Sequence, residues 1–206
     1  MGLLTLEDFP GAPEVVEDAG TFAGNATKKA VGIAKFIARS AAASSGESIY
    51  VLADDSGLEV DALGGAPGVH SARFAALDSG GQGNSADRDN LTKLLRLLKD
   101  VPEQKRTARF RCVIALTPLA ETRIQNASPV CLADEFELQT ELFEGTCEGH
   151  ISFSPTGGGG FGYDPVFVPT GYDQSFGELS PEIKNRLSHR AKALEKVARF
   201  LASRKA

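Results

Sequence analysis

The sequence predicts a mixed α/β protein, and three observations carry that prediction. Ile49-Tyr50-Val51-Leu52-Ala53 is β-branched and aromatic enough to read as buried sheet. Thr21 to about Ser44 sets Phe22, Ala26, Ala30, Ile33, Ala34 and Ile37 at helical spacing. The run Asp54-Asp55-Ser56-Gly57 follows the strand and places adjacent carboxylates where its apolar residues run out. Two like charges side by side are costly unless a cation or a proton offsets them. Open α/β sheets take ligands at the C-terminal ends of their strands, so position and chemistry together suggest a metal-assisted site.

The remaining elements follow in chain order. Thr21 is the expected N-cap of the first helix, with Gly24 where a capping-box Glu would stand. Gly64-Gly65-Ala66-Pro67-Gly68 is a tight loop by composition, and Asp78 to Asn84 a polar turn region. Ser85 is placed to cap a helix over Ala86–Lys99, whose Leu91, Leu94, Leu95 and Leu98 make one apolar stripe. Thr107 to Leu116 reads as a strand, with Phe110, Cys112 and Ile114 on one face and Arg109 and Arg111 on the other. Pro118 to Ala133 reads as an irregular surface excursion. Phe136–Phe143 and Gly145–Phe153 read as an antiparallel pair about a turn at Glu144-Gly145. The short strand Val166-Phe167-Val168 follows, and a closing helix runs from about Pro181, a good first-turn residue, through Phe200. With no repeat and no long linker, residues 1–206 form one domain or two tightly packed lobes.

Composition narrows the class. A hydrophobic content of 42% and a charged content of 24% are ordinary for a soluble protein. No apolar run has membrane-spanning length, and the N-terminus lacks a signal-peptide pattern, so no membrane partner and a cytoplasmic location are expected. Cys112, Cys131 and Cys147 are odd in number and lack C-x-x-C spacing, which fits reduced thiols. The net charge of −5 argues against a nucleic-acid partner. Its distribution is uneven. Glu7, Asp8, Glu14, Glu17 and Asp18 precede the first basic residue, Lys28, whereas Pro181–Ala206 carries eight basic residues against Glu182 and Glu195. An acidic metal-binding region facing a basic helix could hold a magnesium-bound polyphosphate; a solvated amphipathic helix accounts for most of those charges equally simply.

Three constellations bear chemistry. Mg2+ takes one or two protein carboxylates plus phosphate oxygens and water. Neighbouring strand residues point to opposite faces, so one of Asp54 and Asp55 meets the ligand, and Glu17 is a candidate for the second carboxylate. An Asp-Ser-Gly turn that satisfies backbone N–H groups is the plainer reading. Gly157-Gly158-Gly159-Gly160 precedes Phe161-Gly162-Tyr163-Asp164-Pro165. Exposed amides there could take phosphate or base edges, and Phe161 and Tyr163 could stack a base, or the run is a loop beside core aromatics. Lys184 and Ser188 are spaced to share a helical face, with His189 and Arg190 to one side. They offer donors for a carbonyl-bearing base or a phosphate, or are solvated helix residues.

Taken together the motifs identify a resemblance. Thr21-Phe22 with Asn25-Ala26 and Lys29-Ala30 is followed by Ala53-Asp54-Asp55-Ser56-Gly57-Leu58 and Leu63-Gly64-Gly65-Ala66-Pro67-Gly68. Ser71-Ala72-Arg73, Gly159-Gly160-Phe161-Gly162-Tyr163-Asp164-Pro165 and Ser188-His189-Arg190 complete the set. In order and spacing the chain resembles the inosine and xanthosine triphosphate pyrophosphatases, which act on non-canonical purine nucleotides. The resemblance implies an elongated mixed twisted sheet with flanking helices, two lobes around a central cleft, and a homodimer. It implies Mg2+-dependent hydrolysis of ITP, dITP and XTP to the monophosphate and pyrophosphate, cleansing the nucleotide pool. By position it makes Asp55 the catalytic carboxylate, Glu17 and Asp55 the metal-binding pair, and Lys29 a phosphate-binding lysine. Ser56, Phe161, Gly162, Tyr163, Asp164, Lys184, His189 and Arg190 become substrate-binding residues.

The chain departs from the family pattern in two places. Gly24 stands where the family motif commonly has Glu. Family members also open with a strand running into a Thr/Ser-x-Asn-x-x-Lys loop, and this sequence begins at Met1-Gly2-Leu3-Leu4, beyond that unit. Two alternatives follow: a nucleotide-binding protein impaired in catalysis, and a pyrophosphatase for another modified nucleotide.

Overall fold

The first helix, α1 (Phe22–Arg39), starts where its cap is, because Thr21 Oγ1 accepts from the Gly24 amide at 3.0 Å. It buries Phe22, Ala26, Ala30, Ile33, Ala34 and Ile37, the stripe expected from the sequence. The computed structural model describes residues 2–39, 49–81, 83–119 and 139–204. The expected helix end at 40–44, most of the 118–133 excursion, residues 136–138 and Cys131 lie outside these. Four strands, β1 (Tyr50–Val60), β2 (Thr107–Pro118), β3 (Glu141–Ile151) and β4 (Phe167–Pro169), form one sheet in the order β1-β2-β3-β4. β3 and β4 pair antiparallel with His150 opposite Val168. Leu119 N donates to Ile49 O, and Thr107 Oγ1 to Asp61 Oδ2, so β1 and β2 also run in opposite directions. Helices α2 (Asp87–Leu97), α3 (Pro181–Leu187) and α4 (His189–Ser203) complete the described α-helices. None of the described helices is long and apolar enough to cross a membrane.

The chain divides into two compact units, residues 1–55 with 113–143 and residues 56–112 with 144–206. The second has a core of Leu58, Val60, Leu94, Leu98, Phe110, Ile151, Phe167 and Phe176, with Leu91 and Leu95 packed on it. Phe110, Phe167 and Phe176 pack with ring centroids 4.6–6.0 Å apart, Phe110 and Phe176 parallel and Phe167 tilted against both. The other face of β2 carries Arg109 and Arg111, paired with Glu59, Glu144 and Glu148 of the neighbouring strands and with Asp61 just beyond β1. These two faces of β2 are the ones its alternation predicts.

Four expectations are corrected. β1 does not stop at Asp54-Asp55 but continues to Val60, because Leu58 and Val60 beyond the polar run are fully buried. The two carboxylates therefore sit in mid-strand of an antiparallel sheet, where the rule about C-terminal strand ends does not apply. β3 is one strand through Glu144-Gly145, with no turn there. Gly145 is needed for helix approach instead, since a Cβ would collide with the His189 carbonyl and lie 2.6 Å from Ala193 N. Here α4 covers the β3 edge, with Lys192 and Lys196 ammoniums donating to Thr146 O and Glu144 O at 2.8 and 2.7 Å. The closing helix breaks at Ser188 (φ −65°, ψ 155°), whose Oγ caps α4 by accepting from Ala191 N at 3.2 Å. Lys184 and Ser188 thus share no continuous helical face. Finally, α2 begins without Ser85 as its cap, because Ser85 Oγ accepts from Ala76 N at 2.9 Å instead.

Cys112 and Cys147 are buried thiols outside any disulfide, and burial pushes the Cys147 thiol up to about 11. Both are expected to resist a thiol reagent such as DTNB in the native protein at pH 7.5 and to react in denaturant. Rapid stoichiometric labelling of either, located by mass spectrometry, contradicts the packing.

Candidate active site

The predicted residues fall into two clusters, one in each unit. In the first, α1 presents Asn25 and Lys29, four residues apart, on the same face. Lys29 Nζ lies 3.3 Å from Glu17 Oε2 and 3.6 Å from Asp55 Oδ1. The lysine therefore bridges the two carboxylates singled out in the sequence. The other oxygen of Asp55, Oδ2, accepts from Asn25 Nδ2 at 3.0 Å. Asn25 is itself fully buried, and its Oδ1 accepts from the Ala19 amide at 2.9 Å.

Burial raises the Asp55 carboxyl above the ordinary carboxylate range. The Asn25 hydrogen bond and the Lys29 charge oppose that shift, and the Glu17 charge adds to it. Among the described residues no three His, Cys, Asp or Glu side chains gather as a metal cage. Two hard carboxylates converging on one cation position nonetheless fit a hard divalent ion, which completes its shell with phosphate and water.

The second cluster surrounds the glycine-rich loop. Arg190 Nη2 donates to Ser56 Oγ at 2.9 Å, and its guanidinium lies 5.4 Å from the centre of the Phe161 ring. Phe161 is 64% exposed, an unusual position for a large aromatic. Its amide donates to Asp164 Oδ2 at 3.1 Å, and Lys184 Nζ donates to the same oxygen at 2.7 Å. Gly160 (φ +80°) passes so close to that ion pair that a Cβ would clash with Asp164 and lie 2.8 Å from Lys184 Nζ. At this position the glycine run has a steric cause.

Three more of the predicted residues have structural partners. The Gly162 amide donates to Asp87 Oδ2 at 2.7 Å. Tyr163 is buried in the core, and its hydroxyl donates to Ser71 O at 2.9 Å; burial raises the phenol. Its ring faces the interior, so Phe161 is the exposed aromatic of the loop. His189 is buried too, its ring stacked 4.9 Å from Phe110 at an interplanar angle of 13°.

Sequence reasoning assigned no role to Asn25, Ser71 or Asp87. Asn25 did leave a signal: a poor helix former set among the apolar positions of an otherwise good helix. Ser71 and Asp87 act through contacts distant in sequence, and nothing in their local pattern marks them.

A model of the Ham1 family matches residues 1–200. A curated dITP/XTP pyrophosphatase of Desulforamulus reducens is 47% identical over 199 residues, spanning 97% of this chain and 83% of that protein. A protein of the same name from Shouchella clausii is 44% identical over 190 residues, 92% of this chain and 79% of that one. The solved structure of the Staphylococcus aureus Ham1 protein is similar at a TM-score of 0.73 and 34% identity, covering 97% of this chain and 85% of that one. Similarity of this extent in both sequence and backbone makes the chain a member of the Ham1 family.

Proposed function

We propose that the chain hydrolyses dITP, ITP and XTP to the monophosphate and pyrophosphate with Mg2+, as a cytoplasmic homodimer that clears these nucleotides from the pool. The observation that carries this reading is the convergence of Glu17, Lys29 and Asp55 in a chain so similar to proteins named for that activity. Glu17 and Asp55 would hold Mg2+, which supplies neutralisation of phosphate charge. Asp55 also receives the proton of the water that attacks the α-phosphorus, a role suited to a carboxyl raised above its ordinary range. Lys29 binds phosphate oxygens, a point charge that can move between the carboxylates and the substrate. Ser56 contacts the substrate as well.

Base selection belongs to the other cluster. Phe161, exposed and flanked by Arg190, offers the stacking face. Gly162, Tyr163, Asp164 and His189 shape and support the loop around it. Lys184 and Arg190 each carry several N–H donors, a donor set that suits a 6-oxo group. The 6-amino group of adenine meets donors with donors, which leaves both unpaired.

The test is product analysis with dITP, ITP, XTP, dATP, deoxyuridine triphosphate and a methylated pyrimidine triphosphate in the presence of Mg2+. Pyrophosphate and dIMP from dITP, with kcat/KM at least about 10²-fold above that for dATP, are expected. Release of orthophosphate instead, or preference for a pyrimidine, overturns the reading.

A further inference from the structure

Asn25 is the fully buried polar side chain of α1, and both ends of its amide are committed. The Ala19 N–H can only donate, so the atom facing it is the amide oxygen, and the NH2 group must face Asp55. Asp55 is thereby divided. Its Oδ2 is held by Asn25, and its Oδ1 is turned toward Lys29, which also touches Glu17. Rotation of the carboxylate about its terminal bond would exchange the two oxygens, and the Asn25 bond opposes that rotation. The same amide fixes Ala19, two residues from Glu17, so one side chain ties the backbone near one carboxylate to the side chain of the other.

We infer that Asn25 is a positioning residue for the hydrolysis: it holds Asp55 so that Oδ1 is the oxygen that works, and keeps the Glu17 segment in register with it. This rests on the proposed pyrophosphatase activity. Groups that orient a metal-binding or reacting side chain from behind typically change activity by about 10–100-fold when removed. A merely structural Asn would show its effect in stability alone.

Asn25→Asp separates the two roles. An Asp at 25 still accepts from the Ala19 amide but, when ionised, cannot donate to Asp55. The full-length chain, Asn25→Asp, Asn25→Ala, Asp55→Asn and the exchanged pair Asn25→Asp/Asp55→Asn are compared by steady-state dITP hydrolysis and by melting temperature. Asn25→Asp and Asn25→Ala are expected to lower kcat about 10–100-fold with KM for dITP within about threefold of wild type. The exchanged pair should regain the melting temperature that Asn25→Asp loses, because donor and acceptor face each other again, and remain inactive. An active wild type with Asn25→Asp within about twofold of its kcat overturns the inference alone. Failure of the exchanged pair to regain stability also overturns it, since the contact is then absent. A wild-type chain that releases no pyrophosphate removes the proposed function, and the positioning role falls with it.

Discussion

Asp55→Asn is expected to reduce pyrophosphate release from dITP by about 10³-fold or more while leaving the metal-free protein at least as stable as wild type at pH 8. The two halves of this result have one cause. The carboxylate is buried, and burial outweighs Asn25 and Lys29 in setting its proton affinity. An ionised Asp55 is thus disfavoured in the metal-free fold and needed for the chemistry. Asparagine keeps the shape and can still accept from Asn25 Nδ2, but carries no charge to desolvate.

The pH dependence fixes the sign. The folded-state pKa of Asp55 is raised above the unfolded value of about 3.9. Between those two values the native protein binds more protons than the unfolded chain. The stability contributed by protonated Asp55 is complete below the unfolded pKa and is lost as pH rises through the folded one. The variant lacks this loss. Melting temperatures in EDTA should therefore favour Asp55→Asn over wild type by more at pH 8 than at pH 4. A variant that melts well below wild type at pH 8, or one that keeps a tenth of the activity, contradicts this account.

Local periodicity made much of the fold legible. α1 and the first half of β2 follow from spacing alone, because each buries one face and leaves the other polar. Asp54, Asp55 and Glu17 stand out by charge and position alone, whereas the choice of Asp55 and the role of Lys29 come with the motif resemblance, and the convergence on Lys29 is a tertiary fact. What misled was glycine and polar punctuation. Gly145 looks like a turn residue, yet it is a gap through which α4 approaches β3. Asp-Asp-Ser-Gly looks like a strand terminus, yet two buried residues beyond it keep the ladder going. Tyr163 and Phe161 are two residues apart in one loop, and no sequence pattern tells which ring turns inward. The bond from Tyr163 to Ser71 O, 92 residues away, decides it.

Arg106 is the residue whose weight the sequence hides most completely. It precedes β2 as one more charged side chain between Lys105 and Thr107, yet it is 1% exposed and the largest of the fully buried side chains. Its guanidinium donates to Ile151 O, Leu98 O and Ser152 O at 2.8, 2.9 and 2.9 Å and stacks 4.3 Å from the Phe153 ring. Three carbonyls, from the end of α2 and the end of β3, thus depend on one side chain. Arg106→Ala strips all three of that donor and opens a cavity. Leaving a buried polar group unsatisfied costs about 1–3 kcal/mol, and solvent entering the gap recovers part of the total. The expected loss is about 3–5 kcal/mol, a fall in melting temperature of roughly 10 °C for a chain of this length. Arg106→Lys restores charge but not the planar fork, so it should recover less than half of that loss. Because these contacts involve neither Glu17, Lys29 and Asp55 nor the residues around Phe161, kcat per folded molecule should stay close to wild type. Urea titration of the three proteins reads the stability directly. A loss below about 1 kcal/mol for Arg106→Ala would mean that water replaces the guanidinium and that the three carbonyls do not depend on it.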